Sequence, residues 1–150
     1  MTKGMEPKFT VGGRIAKPVA EVFEAVVDPG RLSQFFTTGG AKGRLVAGTE
    51  VTWDFHDFPG AFPVKVIEVV PNERIVLSWQ GEGGLWTRVT MTFAALGPDR
   101  THVRIAEEGW RTDPAGMKAA FGNCEGWTGM LCAMKAWLEH GINLREGFYK

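Results

Sequence analysis

The stretch GNCEGWTGMLCAMKAWLEHGIN, Gly122 to Asn143, decides the fold. Its spacing predicts a helix. At about 100° per residue, Cys124, Trp127, Leu131, Met134 and Leu138 fall on one stripe, with Met130 and Trp137 at its border. Gly122, Gly126, Gly129, Ala133 and Ala136 form a second stripe, and Glu125, Lys135 and Glu139 take the remaining face. Each helical glycine costs about 1 kcal/mol relative to alanine. A ridge of small residues therefore needs a reason. Either another backbone packs close, or the missing side chains leave room for a ligand. Upstream, Asp113-Pro114 reads as an N-cap followed by the first helical position. Downstream, Gly141 reads as the stop. The predicted helix runs from about Pro114 to about His140.

Ahead of it the period changes to two. Phe9, Val11, Gly13 and Ile15 share one face of a first strand. Pro18 opens a short helix on which Val19, Val22, Phe23, Val26 and Val27 line up, and Asp28-Pro29-Gly30 stops it. Arg31 to Phe36 reads as a second helical piece. Strands follow. Val51, Trp53 and Phe55 face one way, and Thr52, Asp54 and His56 the other. Phe58 to Pro63 reads as a turn. Val64 to Val70 is apolar on both faces, which fits a bulge or double burial. Ile75, Leu77 and Trp79 point inward on the next strand. Gly81 to Gly84 turns the chain. Leu85, Val89, Met91 and Phe93 alternate with polar neighbours, as do Val103, Ile105 and Glu107. Gly39, Gly40 and Gly43 read as turn glycines. Consecutive strands with tight turns imply an antiparallel meander of about six or seven strands, and its open face needs the long helix as cover. The fold class is α+β, with residues 1–150 as a single domain.

Composition narrows the function. The formal net charge is zero, so no basic footprint for nucleic acid exists. No apolar run reaches the roughly 20 residues of a membrane span. The opening MTKGMEPKF lacks the apolar core of a signal peptide, so the expected address is cytoplasmic. Cys124 and Cys132 would sit about 12 Å apart along a helix, too far to bridge, and are expected to be free, packed thiols. Six Trp and ten Phe against one Tyr give many large rings without a polar handle. That suits a large core or an apolar cavity.

Four segments carry a resemblance: Ala16-Lys-Pro-Val-Ala-Glu-Val-Phe23; Asp28 to Phe36; Val66 to Trp79; and Gly122 to Leu138 with its Gly126-Trp127 pair. In this order they resemble the START-like (SRPBCC, Bet v 1-like) superfamily, and within it bacterial proteins related to the activator of heat shock protein 90 ATPase. The resemblance implies a helix-grip fold: a curved sheet wrapped on the C-terminal helix, with a cavity between them. It carries no catalytic motif. Functions across the superfamily range from lipid and hormone binding to polyketide cyclisation and co-chaperone work. The eukaryotic activators grip the chaperone with a separate N-terminal domain, so the co-chaperone role transfers poorly.

Phosphate-loop, dinucleotide, CxxC, HExxH and GxSxG signatures are all missing, and no cofactor is expected. His56, His102 and His140 are scattered, and no metal site is expected. Glu107 is the one polar residue breaking an inward pattern. It is a candidate general base in a cavity, or else a strand-end carboxylate in solvent or paired to Lys or Arg. Asp54 with His56 is a weaker pair that faces away from the core. Trp53, Phe55, Trp79, Met91, Trp127, Leu131 and Met134 are the candidate ligand-binding residues, with plain core packing as the alternative. Phe35, Phe36, Phe58 and Phe62 suit the rim of an entrance or a partner-binding patch. The leading expectation is therefore a domain that binds a small apolar ligand. A cyclase or hydrolase using Glu107, or a protein-binding module, stands as the alternative, and a homodimer or another protein partner is left open.

Overall fold

Seven strands form one antiparallel sheet in the computed structural model, which describes residues 5–81 and 84–150. In chain order the elements are β1 (Lys8–Ile15), α1 (Val19–Val27), α2 (Pro29–Leu32), β2 (Gly40–Lys42), β3 (Glu50–Phe55), β4 (Phe58–Val70), β5 (Arg74–Gln80), β6 (Trp86–Gly97), β7 (Arg100–Glu108) and α3 (Pro114–His140). Their spatial order is β1-β7-β6-β5-β4-β3-β2. The meander is continuous from β2 to β7, and β1 closes onto β7 with Phe9 opposite Glu107. Register shifts between Trp53 and Phe55, between Val66 and Glu68, and between Ala95 and Gly97 interrupt the regular pairing. A shift of this kind, where it is a bulge, bends the strand and raises its twist, in keeping with a sheet that curves around α3.

Strand parity sets the core. Val51, Trp53, Val64, Val66, Ile75, Leu77, Val89, Met91, Val103 and Ile105 are all buried on the inner face. Trp127, Met130, Leu131, Ala133 and Met134 of α3 join the same cluster, as do Val22, Phe23 and Val26 of α1. Burying one such side chain contributes roughly 1.5–3 kcal/mol. The Asp113 carboxylate caps α3 by accepting from the Gly116 amide at 2.7 Å. Gly141, at φ 67°, ends the helix in the left-handed conformation that glycine adopts without strain. Gly116 has a separate reason to be glycine: a Cβ there would lie 1.8 Å from the Arg111 carbonyl oxygen.

Several boundaries differ from the sequence reading. The second helix is α2, which starts at Pro29 because the Asp28 side chain caps it by accepting from the Arg31 amide. Phe58 to Pro63 is the first half of β4, and the turn is His56-Asp57. Gly40 to Lys42 pairs with β3 as a short edge strand. Three residues show no alternation, so the pattern gave no sign of it. Of the turn expected at Gly81 to Gly84, Glu82 and Gly83 lie outside the described residues. So do the first four residues of the N-terminal stretch, and no described helix is long and apolar enough to cross a membrane. Both cysteines are free, but Cys132 is exposed rather than packed.

Candidate functional site

β7 carries Glu107 on its inward parity, two residues past Ile105, and the carboxylate is 1% exposed. Four neutral groups surround it. Trp127 Nε1 donates to Oε1 at 2.7 Å, and Trp79 Nε1 donates to Oε2 at 2.8 Å. The Thr87 hydroxyl donates to Oε2 at 2.6 Å. Asn123 Nδ2 lies 3.1 Å from both oxygens. Indole and amide N–H groups only donate, so Glu107 is the acceptor, as an ionised carboxylate must be. No basic side chain pairs with it among the described residues.

The local sequence explains the arrangement. Trp79 and Thr87 are partners across β5 and β6, and Glu107 lies opposite Val89 on the next strand. Asn123 and Trp127 stand one helical turn apart on α3, so both reach the same carboxylate. The two indoles tied to Glu107 also pack on each other, with ring centroids 5.3 Å apart. Phe36 stacks on Trp127 at 5.2 Å, and Phe62 meets Trp79 at 5.6 Å.

Above this group lies an open cleft of about 480 Å³ between the first half of α3 and the ends of the strands. Phe36, Phe55, Trp79 and Trp127 line it from the core, with Asn123, Gly122 and Gly126 from the helix. No atom lies within 4 Å of a Cβ built on Gly122 or Gly126, so the helix's small-residue ridge leaves open space there. At Gly129 the same ridge serves a close approach: a Cβ would be 2.8 Å from the Tyr149 hydroxyl. The ridge thus meets open space at Gly122 and Gly126 and a close neighbour at Gly129, where the neighbour is a side chain rather than the backbone expected.

The C-terminal tail borders the cleft. Beyond Gly141 the chain turns back, and Arg145 forms a buried two-point ion pair with Asp57 in the β3–β4 turn. The Arg145 guanidinium lies over the Phe55 and Tyr149 rings at 5.5 and 5.1 Å. Burial raises the Tyr149 hydroxyl above its ordinary pKa. On the far side of Tyr149 is a second groove of about 460 Å³, lined by α3 and the tail.

Of the residues expected from sequence to bind a ligand, Phe55, Trp79 and Trp127 line the cleft. Trp53, Met91, Leu131 and Met134 are buried in the core and do not line it. Glu107 is held behind the wall by Trp79, Trp127 and Asn123 rather than by Lys or Arg. Phe36 and Phe58 border the cleft, but Phe35 is wholly buried. His56 is exposed with Nδ1 3.4 Å from Glu146, and Asp54 accepts from the Gly60 amide. No cluster of metal-ligating side chains occurs among the described residues. Thr87, Asn123, Asp57 and Arg145 were not singled out in the sequence. Thr87 had a usable signal, since it shares the inward parity of Val89 and Met91.

A curved antiparallel sheet gripping one long helix, with an aromatic cleft between them, defines a helix-grip protein. Residues 16–139 match the family model described as Activator of Hsp90 ATPase homolog 1-like protein, and the chain belongs to that family. Comparison with the curated proteins gave no match. Among solved structures, protein SSP2350 of Staphylococcus saprophyticus is similar at 26% identity and TM-score 0.77, covering 92% of this chain and 96% of its own. DynU16, described as a putative protein in the dynemicin biosynthetic locus, is similar at 26% identity and TM-score 0.79 over 94% of this chain and 50% of its own. The Aha1 dimer of Colwellia psychrerythraea shares the fold at 20% identity and TM-score 0.73, covering 91% of this chain and 98% of its own.

Proposed function

We propose that this protein binds a small, largely apolar molecule in the cleft between α3 and the sheet. The observation that carries the reading is the open space over Gly122 and Gly126, facing the rings of Phe55, Trp79 and Trp127. About 480 Å³ falls within the range of small-molecule sites. The similarity to DynU16, tied by its description to a biosynthetic locus, supports a small-molecule role.

Glu107 serves this reading as a positioning residue. Its two oxygens already meet four donor groups, one of them shared between both oxygens, against about four lone-pair sites. That leaves no acceptor capacity for a substrate proton and argues against a general base. What Glu107 does is fix the two indoles that form the wall.

Titration with Nile red, a neutral apolar dye, tests the proposal. Saturable binding that quenches tryptophan emission is expected, and Gly126→Leu should weaken it. A dye series with no saturable binding would end this reading.

A second reading, a protein-binding face, is favoured by one observation: Phe121, Leu144 and Phe148 are 67%, 44% and 65% exposed around the other groove. Light scattering of Phe121→Ser with Phe148→Ser tests it. The double variant should lose any association while keeping dye binding.

A further inference from the structure

We propose that the cleft selects apolar ligands carrying a neutral hydrogen-bond donor (a phenol, an alcohol or an aromatic amine) and that the Asn123 side-chain carbonyl receives it. The inference rests on the apolar-cleft reading above and adds the ligand's polar group.

The chemistry of Glu107 fixes which way the Asn123 amide points. A carboxylate that is already accepting from two indoles needs another donor, and Nδ2 lies 3.1 Å from both of its oxygens. The reversed amide would set oxygen against oxygen. Oδ1 is therefore turned away from Glu107, on a residue that lines the cleft. No hydrogen bond to that oxygen occurs among the described residues.

The two indoles beside it, Trp79 and Trp127, offer no competing polar group; the other polar side chains lining the cleft are Trp110, Lys118, Glu125, Arg145 and Tyr149. Trp79 and Trp127 each have one donor, and both donors are spent on Glu107. They present only ring surface to a ligand. A buried carboxylate without a cationic partner then lies behind this wall, so the local potential favours the positive end of an O–H or N–H and opposes an anion. Arg145 is committed to Asp57, and Lys118 shares the border with Glu125.

Calorimetry with 2-naphthol, its methyl ether 2-methoxynaphthalene, and 2-naphthoate tests this directly. The three share one ring system and differ in the donor and the charge. The naphthol should bind roughly threefold to tenfold more tightly than the ether, the range of one net hydrogen bond. The naphthoate should bind most weakly. In Asn123→Ala, the preference for naphthol over ether should disappear, the ratio of the two affinities falling to about one. Equal affinity of naphthol and ether for the unaltered protein would overturn the donor preference and leave the apolar cleft standing. Tightest binding of the naphthoate would also overturn it. Failure of all three to bind would overturn the cleft reading together with this one. The comparison on the unaltered protein decides the matter even if Asn123→Ala does not fold.

Discussion

Arg145 and Asp57 hold each other at two points, with Nη1 2.6 Å from Oδ2 and Nη2 2.9 Å from Oδ1, and both side chains are less than a tenth exposed. This pair is what ties the C-terminal tail to the β3–β4 turn.

Asp57→Asn should therefore loosen the tail. Breaking a buried ion pair leaves a charge without its partner. Here the loss is bounded, because the tail can undock and return Arg145 to water. The expected cost is up to about 3 kcal/mol of local stability. Amide exchange of residues 142–150 should accelerate, while exchange in β5 to β7 stays unchanged.

The same pair gives a pH dependence. The Arg145 hydrogen bond, opposed by burial and aided by its charge, holds the Asp57 carboxyl below its ordinary range. A depressed folded pKa places the stabilisation above the unfolded value of about 3.9, and it is lost as pH falls through the lower folded value. The tail should stay docked at neutral and mildly acidic pH and come away only below about pH 4. Tail exchange that rises between pH 7 and 5 would contradict this.

Glu107→Gln should destabilise the fold by about 2–4 kcal/mol in chemical denaturation. The shape is conserved, but one oxygen becomes an NH₂ facing donors. Oε1 serves Trp127 and Oε2 serves Trp79, so either orientation strands an indole N–H. Tryptophan emission should shift to the red as the wall loosens.

Three glycines of α3 should respond differently to substitution. Gly126→Leu places its side chain in open space and recovers most of the glycine helix penalty, so the melting temperature should hold or rise. Gly129→Ala puts a methyl 2.8 Å from the Tyr149 hydroxyl, the far end of a movable side chain. Its cost should be small and should appear as tail displacement. Gly116→Ala meets the Arg111 backbone and should cost at least 2 or 3 kcal/mol, roughly the range for overpacking. Thermal melts of the three variants check the order.

Trp53 and Trp127 are buried alike, at 1% and 2% exposure, but only Trp127 has a partner for its indole N–H. Trp53 Nε1 is buried without one. Trp53→Phe removes an unsatisfied donor as well as ring area, whereas Trp127→Phe removes a hydrogen bond and strips Glu107 of a donor. Trp127→Phe should be the costlier by about 1–3 kcal/mol, measured by denaturant unfolding.

The sequence made the architecture readable wherever a pattern repeated. The α3 stripes, its Asp113 cap and its Gly141 stop follow from spacing and from residue types with one main backbone use. The inward faces of β3, β5, β6 and β7 follow from alternation. Gly40 to Lys42 was silent because three residues carry no period. Glu107 announced itself by parity, but its partners did not. They come from two other strands and a helix, and nothing local to Glu107 names Trp79, Asn123 or Trp127. The tail was equally hidden, since Arg145 and Asp57 are distant in sequence and each reads alone as an ordinary surface charge. Which aromatic rings line the cleft and which pack the core also depends on where the helix crosses the sheet. Parity therefore separated inside from outside, but not core from cleft.

The two halves of α3 are anchored unequally. Near its end, Glu139 accepts from the Ala16 amide at 2.8 Å and Lys135 donates to the Arg14 carbonyl at 3.1 Å, and Met130, Leu131, Ala133 and Met134 belong to the core cluster. Ahead of Asn123, only Gly116 and Ala120 are buried. The cleft opens onto this lightly held half. A small pivot of the helix about its far end changes the width of the cleft while leaving the packing over β1 in place. On the proposed ligand-binding reading, this lightly held half is the jaw that would yield to guests of different thickness, at the least cost to the core.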